Sequence, residues 1–261
     1  MRCTKSCSIL LLLLCALQCA CAQTDREVLY QTSTIDALMY GLYDGEVSVE
    51  ELLAHGDTGL GTFNALDGEM LVLGGECFKI TSDGMAHRVP AQEKTPFAAV
   101  TFFDTDLELP VPAGTGLQAL TELIDAALPS PNLIYAVRVD GEFQRVRTRS
   151  VPRQTRPYPK LTEVVATQPT FELQNLSGTL VGFRCPYYVK GVNVPGYHLH
   201  FIDGSRTRGG HVLDVVVRQA TVRVDSTAAM ALYLPTSPEF EQAELDRTSD
   251  EALHRVEKDT Q

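Results

Sequence analysis

Three histidines within 14 residues carry most of the chemistry this sequence can offer: Tyr197-His-Leu-His-Phe-Ile-Asp-Gly-Ser-Arg-Thr-Arg-Gly-Gly-His211-Val. On a β-strand, side chains at i and i+2 share a face, so His198 and His200 point the same way. Asp203-Gly204 and Gly209-Gly210 bound a polar loop that can reverse the chain. An antiparallel return then brings His211 opposite His200. Three imidazoles on one hairpin match a zinc centre that keeps an open position for substrate. Two alternatives compete with that reading. A His-x-His pair on a strand is often only exposed or hydrogen-bonded, and a cupin-like iron oxygenase uses a similar pair. The cupin pattern calls for a glutamate shortly afterwards, and position 204 is glycine.

Other ionisable residues gain meaning beside such a centre. Glu69 follows the turn signal Asp67-Gly68 and would by itself be a charge at a hairpin edge. Arg145, Arg147 and Arg149 alternate along a strand and would line one, ordinarily exposed, face. In an acidic protein that face suits a carboxylate substrate, because guanidinium grips carboxylate in a two-point fork. Glu257 lies in a polar tail and reads as a solvated charge. His55, His87 and His254 have no partners at useful spacing and are expected on the surface. The imidazoles must be neutral to hold a metal, so binding and activity are expected to fade below about pH 6.

The hairpin resembles the metal-binding segment of bacterial acetolactate decarboxylases. Gly59-Leu-Gly-Thr-Phe-Asn-Ala-Leu-Asp-Gly-Glu69 is similar to that family's N-terminal signature. Thr95-Pro-Phe97, Arg147-Thr-Arg-Ser-Val-Pro152 and residues 168–182 agree as well, and the likeness runs in one collinear order from about Thr34 to Leu234. Carried over residue by residue, the resemblance makes His198, His200 and His211 ligands of Zn2+. It makes Glu69 a glutamate near the metal, Thr62 a residue lining the site, and Arg149 the active-site arginine. Glu257, in Arg-Val-Glu-Lys258, matches a C-terminal glutamate that folds back toward the zinc.

The same resemblance implies an α+β fold in two parts and a homodimer. Residues 23–155 would form a mixed β-sheet with helices, and residues 156–261 an antiparallel sheet carrying the zinc hairpin and the returning tail. The implied reaction is the zinc-dependent decarboxylation of 2-acetolactate, a small 2-hydroxy-3-oxo acid, to acetoin and carbon dioxide. Zinc would chelate the hydroxyl and keto oxygens and stabilise the enediolate. No phosphate-cradling motif points to thiamine or pyridoxal as the electron sink instead. A secreted zinc-binding protein of the same fold without decarboxylase activity is the other reading. Glu69 and Arg149 count against it, since a mere metal site needs neither.

These side chains must be positioned by a chain that reads as mixed α and β. Three amphipathic helices are expected. One follows Ser33-Thr34 with Ile35, Leu38, Met39 and Leu42 at helical spacing and Gly45 behind. One starts at the capping-box pattern Ser48-Val-Glu-Glu51 and stops at Gly56. One spans residues 117–128, ahead of Pro129. Strands are expected at 70–73 and 77–81 around Gly74-Gly75, at 97–103, and at 132–139 turning at Asp140-Gly141 into 142–151. Further strands fall at 170–173, 179–183, 197–202, 212–224 and 230–234. Residues 152–159, rich in proline and arginine, read as a link. From Ser237 the chain is polar and suits a surface helix or a frayed end.

The first 22 of the 261 residues have the form of a signal peptide. Arg2 and Lys5 precede an apolar run over residues 9–17, and Ala20-Cys21-Ala22 offers a cleavage site before Gln23. A secreted or periplasmic protein follows. A lipid anchor is disfavoured, because neither Cys19 nor Cys21 has a leucine three positions before it. The run is too short for a stable membrane span, and no later apolar segment is long enough. Removing it leaves 20 basic against 33 acidic side chains, a surface that repels nucleic acid and anionic membrane. It also leaves two of the seven cysteines, Cys77 and Cys185, as either one bridge or two separate thiols. Asn175-Leu-Ser177 is a glycosylation sequon, meaningful only in a eukaryotic host.

Overall fold

The computed structural model describes residues 26–245 and 250–257. The expected leader and its cleavage point at Ala22-Gln23 lie outside them. Strand β1 (Val28–Thr32) leads to helix α1 (Ile35–Tyr40). The Thr34 hydroxyl caps α1 by accepting the Ala37 N–H, and Gly41 ends it in the left-handed conformation, a turn earlier than Gly45. Strand β2 (Val47–Ser48) runs into α2 (Val49–Leu53), which has the expected capping box between Ser48 and Glu51. Such a cap contributes roughly 1 kcal/mol.

Strands β3 (Thr58–Thr62), β4 (Glu69–Leu73) and β5 (Glu76–Ile80) form a meander that reverses at Gly74-Gly75 as expected. Strands β6 (Ala86–Arg88), β7 (Lys94–Thr95) and β8 (Ala98–Thr101) follow, then β9 (Leu107–Val111). Helix α3 (Leu117–Ala127) buries Leu120 and Ile124 and precedes the long strand β10 (Ile134–Arg149). Each of those side chains contributes roughly 1.5–3 kcal/mol relative to exposure. Helix α4 (Leu161–Val165), β11 (Thr170–Cys185), β12 (Gly196–Asp203), β13 (Gly209–Thr227) and β14 (Ala229–Tyr233) come next. Two short helices, α5 (Pro238–Gln242) and α6 (Asp250–Glu257), close the described chain. No described helix is long and apolar enough to cross a membrane.

The expected α+β architecture of one mixed and one antiparallel sheet is present. The first sheet runs β14-β1-β8-β3-β4-β5-β6, and only β1 with β14 is parallel. The second runs β10-β11-β12-β13-β9, all antiparallel. Because β10 also pairs with β13, strands β10 to β13 close into a ring filled by Val137, Phe143, Val146, Leu180, Phe201 and Val217. Each sheet draws on both ends of the sequence. Strands β9 and β10 precede the 152–159 segment yet lie in the second sheet, and β14 returns to the first, where it pairs in parallel with β1.

Two expected boundaries are overturned. Asp140-Gly141 is no turn, because β10 passes through it unbroken, and residues 170–173 and 179–183 belong to one strand. Gly141 serves close approach instead: a Cβ there would meet the Gln219 carbonyl at 2.3 Å. The two cysteines are free and buried in separate clusters, Cys77 within the first sheet's packing and Cys185 beside Phe183. Asn175 is an exposed strand residue whose side chain accepts from Arg218. Where the sheets meet, Leu71, Phe78 and Ile80 pack on Val181 and Ile202.

Candidate active site

The histidine hairpin folds as strand alternation requires. His200 and His211 are direct cross-strand partners between β12 and β13. The Nε2 atoms of His198 and His200 lie 3.2 Å apart. One nitrogen from each of the three rings lies within 4.8 Å of the others, and all three residues are buried. Gly210 makes this approach feasible. Its φ is 143°, and a Cβ there would meet the Arg149 carbonyl at 2.4 Å, so a side chain would push β13 off β10.

The first sheet supplies the opposite wall. Thr62 at the end of β3 and Glu69 at the start of β4 are cross-strand partners. The Thr62 hydroxyl donates to the Gly68 carbonyl at 2.7 Å. Glu69 is buried rather than a hairpin-edge charge, because β4 is covered by the second sheet, and its Oε2 stands 3.6 Å from His200 Nε2. The neighbouring carbonyl of Met70 lies 2.7 Å from His200 Nδ1. With Nδ1–H donating there, the Nε2 lone pair is turned toward the other rings.

Of the three alternating arginines only Arg149 enters the site. The β10–β13 register shifts between Arg147 and Thr148, leaving Leu213 as an extra residue on β13 while β10 itself continues unbroken. Arg145 pairs with Asp214 at the surface. Arg149 is 4% exposed; its Nη1 meets Gln168 Oε1 at 3.0 Å and Glu69 Oε1 at 3.4 Å, while Nη2 donates to the Val256 carbonyl at 2.7 Å. Its Nε is buried without an acceptor.

Helix α6 closes the site. Its polar composition suggested a surface helix or frayed end, but Leu253 and Val256 are buried among Ile35, Leu38, Leu161 and Val164. Glu257 is consequently not a solvated charge. Its Oε2 lies 3.8 Å from His198 Nε2 and 3.9 Å from His211 Nε2, buried and without a hydrogen-bond partner. His55, His87 and His254 are exposed, as expected, and His55 stacks on Tyr30. Reasoning from the sequence missed Gln168 as a partner of Arg149, and the backbone carbonyls of Met70 and Val256. Carbonyls leave no signal in residue type. The i, i+3 pair Leu253 and Val256 was the available sign that α6 docks.

Burial governs the electrostatics. It depresses all three imidazoles, assisted by the Arg149 charge, and His198 falls to about 3. Burial raises the Glu69 carboxyl to about 7, with Arg149 opposing and Glu257 adding to the shift. Glu257 is likewise raised to about 7 by burial, against the pull of Arg149. The result is neutral imidazoles and two carboxyls poised near neutrality around a small cavity of about 30 Å³ lined by Thr62, Glu69, Arg149, His198, His211 and Glu257.

This donor set fits a zinc ion. Nitrogens about 2.0–2.1 Å from a tetrahedral zinc lie roughly 3.3 Å apart, close to the 3.2 Å between His198 and His200. The orphaned Glu257 oxygen supplies a further donor beside them. Next to the centre a groove of about 710 Å³ reaches His211 and Glu257 between Leu117, Tyr197 and Leu253, a volume suited to a small organic substrate.

A metal store needs only the imidazoles. A guanidinium and two carboxyl groups kept under cover beside them, at the seam of two sheets, define an α+β enzyme with a candidate metal centre. The chain belongs to the alpha-acetolactate decarboxylase family, whose model matches residues 29–247. It is 51% identical over 232 residues to the alpha-acetolactate decarboxylase of Methanosarcina mazei, covering 89% of this chain and 81% of that one. It is 52% identical over 233 residues to that of Methylococcus capsulatus, covering 89% of each. The crystal structure of the Bacillus subtilis strain 168 enzyme superposes with a TM-score of 0.86 at 42% identity, over 88% of this chain and 99% of that one. The matched span ends at residue 247, so Glu257 lies beyond it.

Proposed function

We propose that this protein converts 2-acetolactate to acetoin and carbon dioxide with a zinc ion held by His198, His200 and His211. Arg149 beside Glu69 within the histidine pocket is the observation that carries the reading, because it joins a carboxylate receptor to a proton acceptor. Zinc held by these three imidazoles would supply Lewis acidity, which favours the negative charge that develops as carbon dioxide leaves.

The chain's own groups divide the remaining work. Arg149 takes the substrate carboxylate, and its unpartnered Nε is a donor ready for it. Glu69 removes the substrate hydroxyl proton at one of its carboxylate oxygens. It is equipped for that exchange by a carboxyl raised to about 7. As the carbon–carbon bond breaks, Arg149 is left where the carboxylate stood and passes a proton to the vacated carbon. Glu69 returns its proton to the product oxygen, and Arg149 is recharged from water. The turnover therefore takes up one proton overall. Thr62 orients the substrate, while Glu257 completes the surroundings of the cation or relays protons.

The test is acetolactate consumption and acetoin formation in chelator-dialysed protein before and after zinc is restored. Full activity in the metal-free sample rejects the zinc role, and zinc uptake with no acetoin rejects the reaction. We also read residues 1–22 as a leader for export to the periplasm or medium, and the protein as a homodimer. Sequencing the exported chain should find Gln23 first, and sedimentation should give twice the chain mass.

A further inference from the structure

A second acidic cluster lies at the far end of β13, fourteen residues along the strand from His211. Asp225 is 1% exposed and sits opposite Ala136 of β10. Its Oδ2 accepts the Asp104 N–H at 3.2 Å, but its Oδ1 is buried with no hydrogen-bond partner. One carboxylate oxygen from each of Glu27, Asp106 and Asp225 lies within 4.8 Å of the others. Asp106 is held in place by Ser226, whose N–H and hydroxyl reach its Oδ2 at 2.9 and 2.5 Å.

This arrangement is costly without a counter-charge. A buried oxygen with no partner forfeits its hydration, and three carboxylates at this range repel one another. Among the described residues, neither Asp106 nor Asp225 has a cationic side chain within salt-bridge distance. Arg26 lays its guanidinium over the Phe102 ring, 4.9 Å from the centroid.

We infer that Glu27, Asp106 and Asp225 bind a calcium-sized divalent cation that ties the start of β1 to the β8–β9 connection and the end of β13. Donors that are all carboxylate oxygen suit a hard ion rather than zinc. Calcium–oxygen distances of about 2.3–2.6 Å put ligands on opposite sides of one ion some 5 Å apart. Three carboxylate oxygens within 4.8 Å of one another can all reach one such ion. Magnesium demands strict octahedral geometry at about 2.0–2.1 Å and gives up its water reluctantly, which an irregular, half-open carboxylate cluster serves less well. Because Glu27 and Asp106 are exposed, the affinity belongs with open extracellular sites, on the order of 10⁻⁴–10⁻³ M.

Thermal unfolding of the mature, zinc-loaded protein tests this, with calcium, magnesium and sodium chlorides compared at matched ionic strength. Calcium at about 10 mM should raise Tm by roughly 3–10 °C, well beyond the other two salts. Asp225→Asn and Asp106→Asn should each remove that extra rise while leaving acetoin formation at room temperature unchanged. If Asp225→Asn does not fold, Asp106→Asn at the exposed position decides alone. Equal shifts from all three salts, or a full calcium response in Asp106→Asn, overturns the site.

Discussion

Glu69 Oε1 and Arg149 Nη1 stand 3.4 Å apart although their strands, β4 and β10, belong to different sheets. The pair exists only because the two sheets pack face to face. It couples a carboxyl pushed up to about 7 by burial to the guanidinium that faces it.

Arg149→Ala should therefore lower acetoin turnover by at least about 10²-fold, the scale of a lost charge-stabilising group. Zinc should stay bound, because Arg149 supplies no ligand. Arg149→Lys should fail to restore the rate, since an ammonium cannot reproduce the fork. Steady-state kinetics with metal analysis on the same samples checks this. Loss of zinc with the rate would assign the residue a structural role.

Docking of α6 rests on Leu253 and Val256, and the helix is too short to hold together without it. Leu253→Ala should weaken docking by about 2–5 kcal/mol. The helix would then open locally, carrying Glu257 and the Val256 carbonyl from the site. Activity should fall at least about tenfold, while Tm moves by no more than a few degrees. A matching collapse of Tm would show that α6 belongs to the global folding unit.

The acid limit should lie lower than free imidazole suggests. All three histidines are depressed below 6.5, chiefly by burial, His198 to about 3. Below pH 6.5 the unfolded chain binds more protons than the folded one, so folding stability falls as pH drops toward 3. The rings of the folded protein nevertheless stay neutral, so zinc should be retained between about pH 5 and 6 and lost together with the fold. Zinc content after dialysis, set beside circular dichroism across that range, measures the order of events. Metal loss near pH 6 from a protein that is still folded would contradict the shifts.

Glu69 and Glu257 act in the opposite direction. Their folded carboxyls are raised to about 7 from an ordinary 4.5. In the metal-free protein, their contribution to stability is fully present below about 4.5 and is lost as pH rises through 7. At pH 6 both are largely protonated, so a divalent cation binding beside them should displace between about one and two protons. Calorimetry of zinc binding in buffers of different ionisation enthalpy counts them. Release near zero at pH 6 would mean that the carboxyls are already ionised or stand apart from the cation.

How much of this was legible along the chain depended on range. The capping box at Ser48 and Glu51, the Gly74-Gly75 reversal and the α3 face of Leu120 and Ile124 depend on neighbours a few residues apart, and they stand where expected. Asp140-Gly141 misled because its turn chemistry is local, while the need for a residue without a side chain comes from Gln219 on another strand. The polar tail misled for the same reason. Two apolar residues among charges look unpatterned until Ile35 and Leu161, far away in sequence, provide their surface.

The sequence by itself determined the histidine hairpin, since strand alternation and glycine-bounded loops are local rules that set His198, His200 and His211 on one face. The similarity of its motifs determined the family. The resemblance of its motifs singled out Arg149 among the three arginines, but only the tertiary structure encloses it, between Glu69 of the first sheet and the Val256 carbonyl of α6. The packing also seals Glu69 and sets Glu257 beside the imidazoles, where the resemblance expected them and composition did not. Burial, which sets their protonation, belongs to the packed sheets and the docked helix rather than to any single stretch of chain.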